Sequence, residues 1–280
     1  MVLRIGVHPN NLHLRLAALW PGAFDDLDHV FVDYPEGRDT GRLLAEGVVD
    51  IGGTGSTPPI LAAAAGQEVV YAAASATRPA NGAVLVARDG PVDSIAALKG
   101  RAVALVDGSF LTYFLARSLD EAGLTLRDVE RRDLPPALSR TLLAGGEVAA
   151  WVAMAPHLEQ VLATGEAKVL THCGTTIPNR SVFWTVRDRG LSAATLAAFA
   201  AGLARVGAGI TAAPERAAAL LAGPAASETE RRAWTRVVAE RDWQVVPADA
   251  RIHAEQQAEA DTLTRHGDLA AALHIEQQPA

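Results

Sequence analysis

Cysteine is nearly missing from this sequence: Cys173 is the only one among 280 residues. No disulfide can form within the chain, and cysteine usage is silent on redox compartment. Long apolar runs are missing too, and none approaches the length of a membrane span. Basic residues are not in excess. Lys and Arg number 25 against 32 Asp and Glu, a net charge of −7, which argues against nucleic acid as a partner. The amino terminus, Met-Val-Leu-Arg-Ile-Gly-Val-His, lacks a basic region, an apolar stretch and a small-residue cleavage site. It reads as a first core strand, not as a secretory signal. With Met1 as the native start the expectation is a cytoplasmic protein; with a signal trimmed away it is a periplasmic or cell-surface one.

What is present is ordinary for a globular chain: 49% hydrophobic and 20% charged residues. The length suffices for one large or two medium domains. Short strands at 2–7, 29–33 and 69–74 alternate with helices at 12–19, 42–46 and from Pro58 on. This alternation predicts an α/β unit with a parallel sheet, whose ligands sit outside the carboxyl ends of the strands. The rule groups His8, Glu36 to Arg38, and Thr54 to Thr57.

The stretch Asp50-Ile51-Gly52-Gly53-Thr54-Gly55-Ser56-Thr57-Pro58-Pro59-Ile60 organises this unit. An apolar strand ends in a glycine-rich turn, and the proline pair opens an alanine-rich helix, for which Ser56 or Thr57 is the natural N-cap. Free N–H groups and the helix dipole suit such a place to an anion. It is neither a phosphate loop, since no Lys follows the glycines, nor a dinucleotide fingerprint. A well-capped helix start and a ligand site are both open readings. A second α/β unit begins near Ala83, and Asp107-Gly108-Ser109-Phe110-Leu111-Thr112 repeats the pattern of strand, Gly-Ser turn and helix. From Ser192 the pattern is helical, over 196–210, 214–221, 227–240 and 250–265, with Gly202, Gly207 and Gly209 weakening the first.

The order of these segments resembles the substrate-binding proteins for aliphatic sulfonates, taurine and nitrate of ATP-binding-cassette importers. The likeness is carried by Asp50 to Ile60, Ala96-Ala97-Leu98-Lys99-Gly100-Arg101, and Gly108-Ser109 before a helix. Ala122-Gly123-Leu124, Leu134-Pro135-Pro136-Ala137, Ala150-Trp151, Pro178-Asn179 and Gln256-Gln257-Ala258 continue it. The resemblance implies a two-lobed α/β fold of the type II periplasmic-binding-protein kind, with a ligand cleft between lobes and carboxy-terminal helices. The expected division is 1–82 with 184–280 for lobe I and 83–183 for lobe II. The expected function is binding of a small sulfonate-like anion as a solute-binding protein. A permease would be its partner, the chain a monomer, and no cofactor or metal is needed. The departures are Ser56 where an acidic or amide residue is usual, His8-Pro9-Asn10-Asn11 in place of a glycine-rich first loop, and Met154-Ala155-Pro156-His157 in place of Trp-Asp-Pro-Tyr.

The candidate ligand residues are His8, Asn10, Arg38, Thr54, Gly55, Ser56, Thr57, Ser109, Phe110, Thr112, Trp151, Met154, His157 and Asn179. Arg38 is the cation suited to a bidentate hold on an oxyanion, or else a surface arginine paired with Glu36 or Asp39. Ser109 and Thr112 are hydroxyl donors or simple caps; Phe110, Tyr113 and Trp151 are ligand walls or core. His253, His266 and His274 are expected to be solvated. His172 beside Cys173 makes neither a zinc site nor a nucleophile by adjacency alone. The rival reading is an enzyme on the same fold, resembling aryl-sulfinate desulfinases or thiamine-pyrimidine synthases. The desulfinases carry a nucleophilic Cys in the first strand-end loop, where this chain has His8-Pro9. An enzyme here would use His8 as acid or base, with Glu36 or His157. A third reading is a cytoplasmic sensor or delivery protein.

Overall fold

The computed structural model describes residues 2–275; Met1, on which the expected compartment turns, lies outside them. The chain divides into two compact units, one of residues 2–77, 180–257 and 274–275, the other of 78–179 and 258–273. The expected boundaries stood at 82/83 and 183/184. The returning strand pairs over its whole length with strands of the first unit, and the end of the last helix is held by the second.

Unit 1 opens with β1 (Leu3–Val7), α1 (Leu12–Leu19), β2 (His29–Asp33), α2 (Thr40–Ala45), β3 (Gly52–Thr54), α3 (Thr57–Ala64) and β4 (Val69–Ser75). Unit 2 contains β5 (Gly82–Ala87), β6 (Ala102–Leu105), α4 (Phe110–Asp120), β7 (Glu130–Asp133), α5 (Pro136–Ala144), β8 (Ala150–Met154), α6 (His157–Thr164) and β9 (Ala167–His172). The chain then returns through β10 (Val182–Val186), α7 (Ala193–Ala212), α8 (Pro214–Ala222), α9 (Glu228–Ala239), β11 (Val245–Pro247) and α10 (Ala250–Arg265).

The sheets are mixed, where the alternation predicted a parallel one. In unit 1, β1 and β2 run parallel and Ile5 bridges Ile51 in the same sense, but β10 is antiparallel to both β3 and β4. In unit 2 the order is β7-β6-β8-β5-β9, with β6 parallel to β7 and β8 and β5 antiparallel to β8 and β9. Strand–helix alternation constrains only strands joined by one crossover. β5 and β10 begin and end the long excursion of the chain and escape that constraint. β11, unforeseen in the sequence, is an edge strand that pairs with β4 and ends at Pro247, where a missing N–H is tolerated.

The core of unit 1 is built by Ile5, Leu14, Leu16, Leu44, Ile51, Trp184 and Phe199, all fully buried. α7 corrects the expectation about apolar runs. It has 20 residues with a hydropathy of 1.5, long and apolar enough to cross a membrane by length and composition. Much of that apolarity is alanine, and one stripe, Phe199, Gly202, Leu203, Val206, Gly207 and Ile210, is buried. Such a stripe marks a helix packed by one face onto a core.

The carboxy-terminal histidines also differ from expectation. His253 and His266 are buried, while His274 is exposed. His266 accepts from the Leu126 N–H at Nδ1 and meets Asp120 at Nε2, 2.9 Å away. This pins the end of α10 within unit 2. His253 sits edge-on to Tyr71 in unit 1.

Candidate ligand site

Three strand-end loops of unit 1 converge on one imidazole. His8, just past β1, is buried, and its Nε2 lies 2.9 Å from the Gly53 carbonyl of β3. Its Nδ1 accepts from the Asn10 N–H at 3.3 Å. Only the neutral tautomer protonated on Nε2 satisfies both bonds. Burial pushes its pKa down to about 4, against the partial support of the Gly53 carbonyl. Both ring nitrogens are therefore engaged by the backbone, and the imidazole holds the loops after β1 and β3 together.

The loop after β2 closes on the same ring. A Cβ at Gly37 would lie 2.7 Å from His8 Cε1, so only glycine admits the imidazole there. Tyr34 lies 5.6 Å from it, centroid to centroid. The Tyr34 hydroxyl donates to Thr40 Oγ1 at 2.6 Å, and Thr40 donates to the Gly37 carbonyl. Burial raises the Tyr34 phenol to about 12. Glu36 is half-buried, and Arg38 is exposed in the 3₁₀ turn Gly37–Asp39.

The third loop is the glycine-rich turn. Gly53 is closed to any side chain, since a Cβ would meet Phe183 Cδ1 at 2.5 Å and Asn11 Nδ2 at 2.6 Å. Thr54 is not a free donor. Its hydroxyl donates to the Gly55 carbonyl and accepts from the Trp184 indole at 3.0 Å. Ser56 is the N-cap of α3 by position but not by bond. It sits in helical backbone (φ −75°, ψ −26°) with no side-chain cap. Its Oγ is buried and makes no hydrogen bond among the described residues. Pro58 and Pro59 also reduce the donors of the first turn, so among its first three residues only Thr57 keeps an N–H.

A second buried polar atom is left over nearby. Asn11 caps α1 through Oδ1, which accepts from the Leu14 N–H at 3.1 Å, while its Nδ2 makes no hydrogen bond among the described residues. Asn11 escaped the sequence reading, although Asn before the apolar run Leu12 to Leu19 is an N-cap signal. Buried polar atoms are nearly always paired; Ser56 Oγ and Asn11 Nδ2 are two that have no hydrogen-bond partner among the described residues. Asn10 itself is exposed.

In unit 2 the candidate residues are engaged internally. Ser109 caps α4, accepting from the Leu111 N–H at 3.2 Å and donating to the Val106 carbonyl at 2.6 Å. Thr112 donates to Asp107 Oδ1 at 2.7 Å and accepts from the Gly108 N–H. Arg131 meets the same carboxylate at 2.9 Å. The second turn, expected to receive an anion, already holds one of its own. Phe110 stacks on Phe114, and Trp151 packs in the core with Leu85, Ala104 and Leu158. Met154 and His157 are half-buried. Burial is the first cause that lowers the His157 pKa, outweighing a bond to Gln160. Asn179 is buried between Cys173 and Arg78. Burial also raises the Cys173 thiol to about 11, far from a nucleophile's range.

A model of the family described as NMT1/THI5 like matches residues 25–175, more than half of the chain and both Gly-Ser turns. The chain belongs to the NMT1/THI5 like family. A candidate aliphatic sulfonates-binding protein of Escherichia coli (strain K12) is 34% identical over 171 residues, 60% of this chain and 54% of that protein. The chain thus spans about half the length of the curated relative it matches. Among solved structures, the periplasmic aliphatic sulphonate binding protein SsuA from Escherichia coli superposes with a TM-score of 0.85 at 28% identity, covering 98% of this chain and 95% of that one. The alkanesulfonate-binding protein SsuA from Xanthomonas axonopodis pv. citri, bound to MOPS, gives 0.86 at 25% identity, covering 98% and 96%. This NMT1/THI5 like chain has the periplasmic-binding-protein fold.

Proposed function

We propose that this protein binds a small organic oxyanion of the sulfonate class at the amino-terminal end of α3, as the solute-binding component of an ABC-type importer. The reading rests above all on one observation: Ser56 Oγ and Asn11 Nδ2 are buried without partners among the described residues, beside an uncapped helix start. A sulfonate brings three acceptor oxygens and a negative charge, and supplies the capping that the chain omits. The similarity to sulfonate-binding proteins supports the ligand class, and with it a permease partner and an exported location. The chain acts on this reading as a monomer holding one anion.

Isothermal titration with ethanesulfonate, MOPS, taurine, nitrate and acetate tests it, with mass spectrometry of the recovered ligand. One sulfonate bound one-to-one and recovered unchanged is the expected outcome. Failure of every sulfonate to bind, or its conversion to product, overturns the reading. Conversion would also reinstate an enzyme that does not rely on His8.

A further inference from the structure

β2 is an outer strand of unit 1: it pairs with β1 on one side and with no strand on the other among the described residues. Other outer strands carry the devices that keep sheet edges from pairing. β7 is Glu-Arg-Arg-Asp, β9 carries Lys168, and β11 has three residues and ends at Pro247. β2, His-Val-Phe-Val-Asp, has neither lysine nor proline and keeps its polar side chains at the two ends. Val30 is 46% exposed, and Phe31 and Val32 are only half-buried. Half of the backbone of β2 is also unused. The Leu3 N–H donates to the Asp28 carbonyl and the Tyr34 N–H to the Val7 carbonyl, so the even-numbered residues face β1. By alternation His29, Phe31 and Asp33 turn their N–H and C=O groups away from it.

We infer that β2 pairs antiparallel with β2 of a second copy of this chain, about a two-fold axis through Phe31. The strand reads as its own complement in that register. His29 faces the partner's Asp33, Val30 faces the partner's Val32, and Phe31 faces the partner's Phe31. The backbone agrees, because the three residues with outward N–H and C=O groups are those that face one another as hydrogen-bonded pairs. A one-residue shift would set these groups against ones already bonded within the partner's own sheet. An imidazole opposite a carboxylate at each end, valine on valine and ring on ring are all favourable cross-strand pairs. The contact is isologous and closes at two copies. It uses neither Ser56 nor Asn11 and does not rest on the sulfonate reading. The single chain remains the unit that holds the anion, and pairing is an added state that depends on concentration.

Sedimentation velocity of the full chain at rising concentration tests the inference. A reversible monomer–dimer equilibrium is expected below about 1 mM, as suits a small interface. Val30→Lys puts a lysine on the exposed edge and is expected to weaken pairing roughly ten-fold or more. Asp33→Lys sets a lysine against the partner's His29 and should weaken it as well. Adding His29→Glu to Asp33→Lys recreates the opposite-charge pair with its signs exchanged and is expected to restore the dimer. Val30 is exposed, so Val30→Lys stays informative even if the charge exchange disturbs the fold. A parent that stays monomeric up to about 1 mM overturns the proposal. So does a dimer indifferent to Val30→Lys, or a folded double variant that fails to restore pairing.

Discussion

The amino-terminal ends of α3 and α4 are written in similar letters, a strand followed by Gly-Ser and a helix, yet they finish in opposite states. At α4 the hydroxyls of the turn and its carboxylate all have partners within unit 2. Ser109 caps the helix, Thr112 and the Gly108 N–H turn to Asp107, and Arg131 balances that carboxylate. At α3 no acidic side chain is present in the first turn, the N-cap hydroxyl has no hydrogen-bond partner among the described residues, and two prolines withhold donors. Unit 2 built its own anion into the helix start; unit 1 left the place open. On the proposed reading, a helix N-terminus serves a ligand through what the chain declines to put there, as much as through its dipole.

The largest break in this comparison is expected at His8, which holds the open turn in shape. The folded protein resists protonating it until about pH 4, whereas the unfolded chain takes the proton near 6.5. The unfolded state thus binds more protons between these values. Stability contributed by neutral His8 is complete above about pH 6.5 and lost as pH falls toward 4, a total of roughly 3 kcal/mol. Urea unfolding of the parent and His8→Gln at pH 7 and pH 4 measures it. The parent's loss across that window should exceed the variant's by an amount of that order, and parallel pH profiles would refute the assignment.

Next is Asp107→Asn. It removes the charge that Thr112, the Gly108 N–H and Arg131 share, and charge-assisted bonds of this kind are worth about 1.5–3 kcal/mol. A loss of roughly 2–3 kcal/mol is expected by denaturant titration, with sulfonate affinity unchanged. A smaller loss follows from Ser109→Ala, about 1 kcal/mol, the usual value of an N-cap. Were Ser109→Ala neutral, the contrast between the two helix starts would collapse.

Much of this arrangement was legible in the residues, and what was not has identifiable causes. Strand positions such as 29–33 and the helix Leu12–Leu19 follow from local apolar periodicity, which the structure reproduces. The antiparallel entry of β5 and β10 depends on where a long excursion rejoins the sheet, and no local pattern encodes that. The convergence of His8, Gly37 and Gly53 was foreseeable from the rule about strand ends, but the role of His8 was not. Its engagement depends on a carbonyl 45 residues away. Hydroxyl side chains were the least legible of all. Thr54, Ser56, Ser109 and Thr112 look equally available in sequence, and only Ser56 keeps its oxygen unpaired. Asp107 stood in view beside Gly108, yet its sequence position does not reveal that it points its charge into the first turn of α4.

The smallest expected effect on stability is also the sharpest test of the contrast. Ser56→Ala deletes a buried hydroxyl that has no hydrogen-bond partner among the described residues. Its removal relieves the cost of desolvating an unpaired polar atom, about 1–3 kcal/mol in general, against a few lost dispersion contacts. The unliganded variant should therefore unfold at the parent's urea midpoint or slightly above it, the reverse of Ser109→Ala. Sulfonate affinity should move the other way. A hydrogen bond to a charged ligand worth about 1.5 kcal/mol corresponds to roughly a ten-fold weaker Kd. Stability unchanged with affinity lowered would mean that Ser56 is held for a ligand. Stability lowered with affinity unchanged would make α3 a capped helix like α4, and the open site would have to lie elsewhere in unit 1.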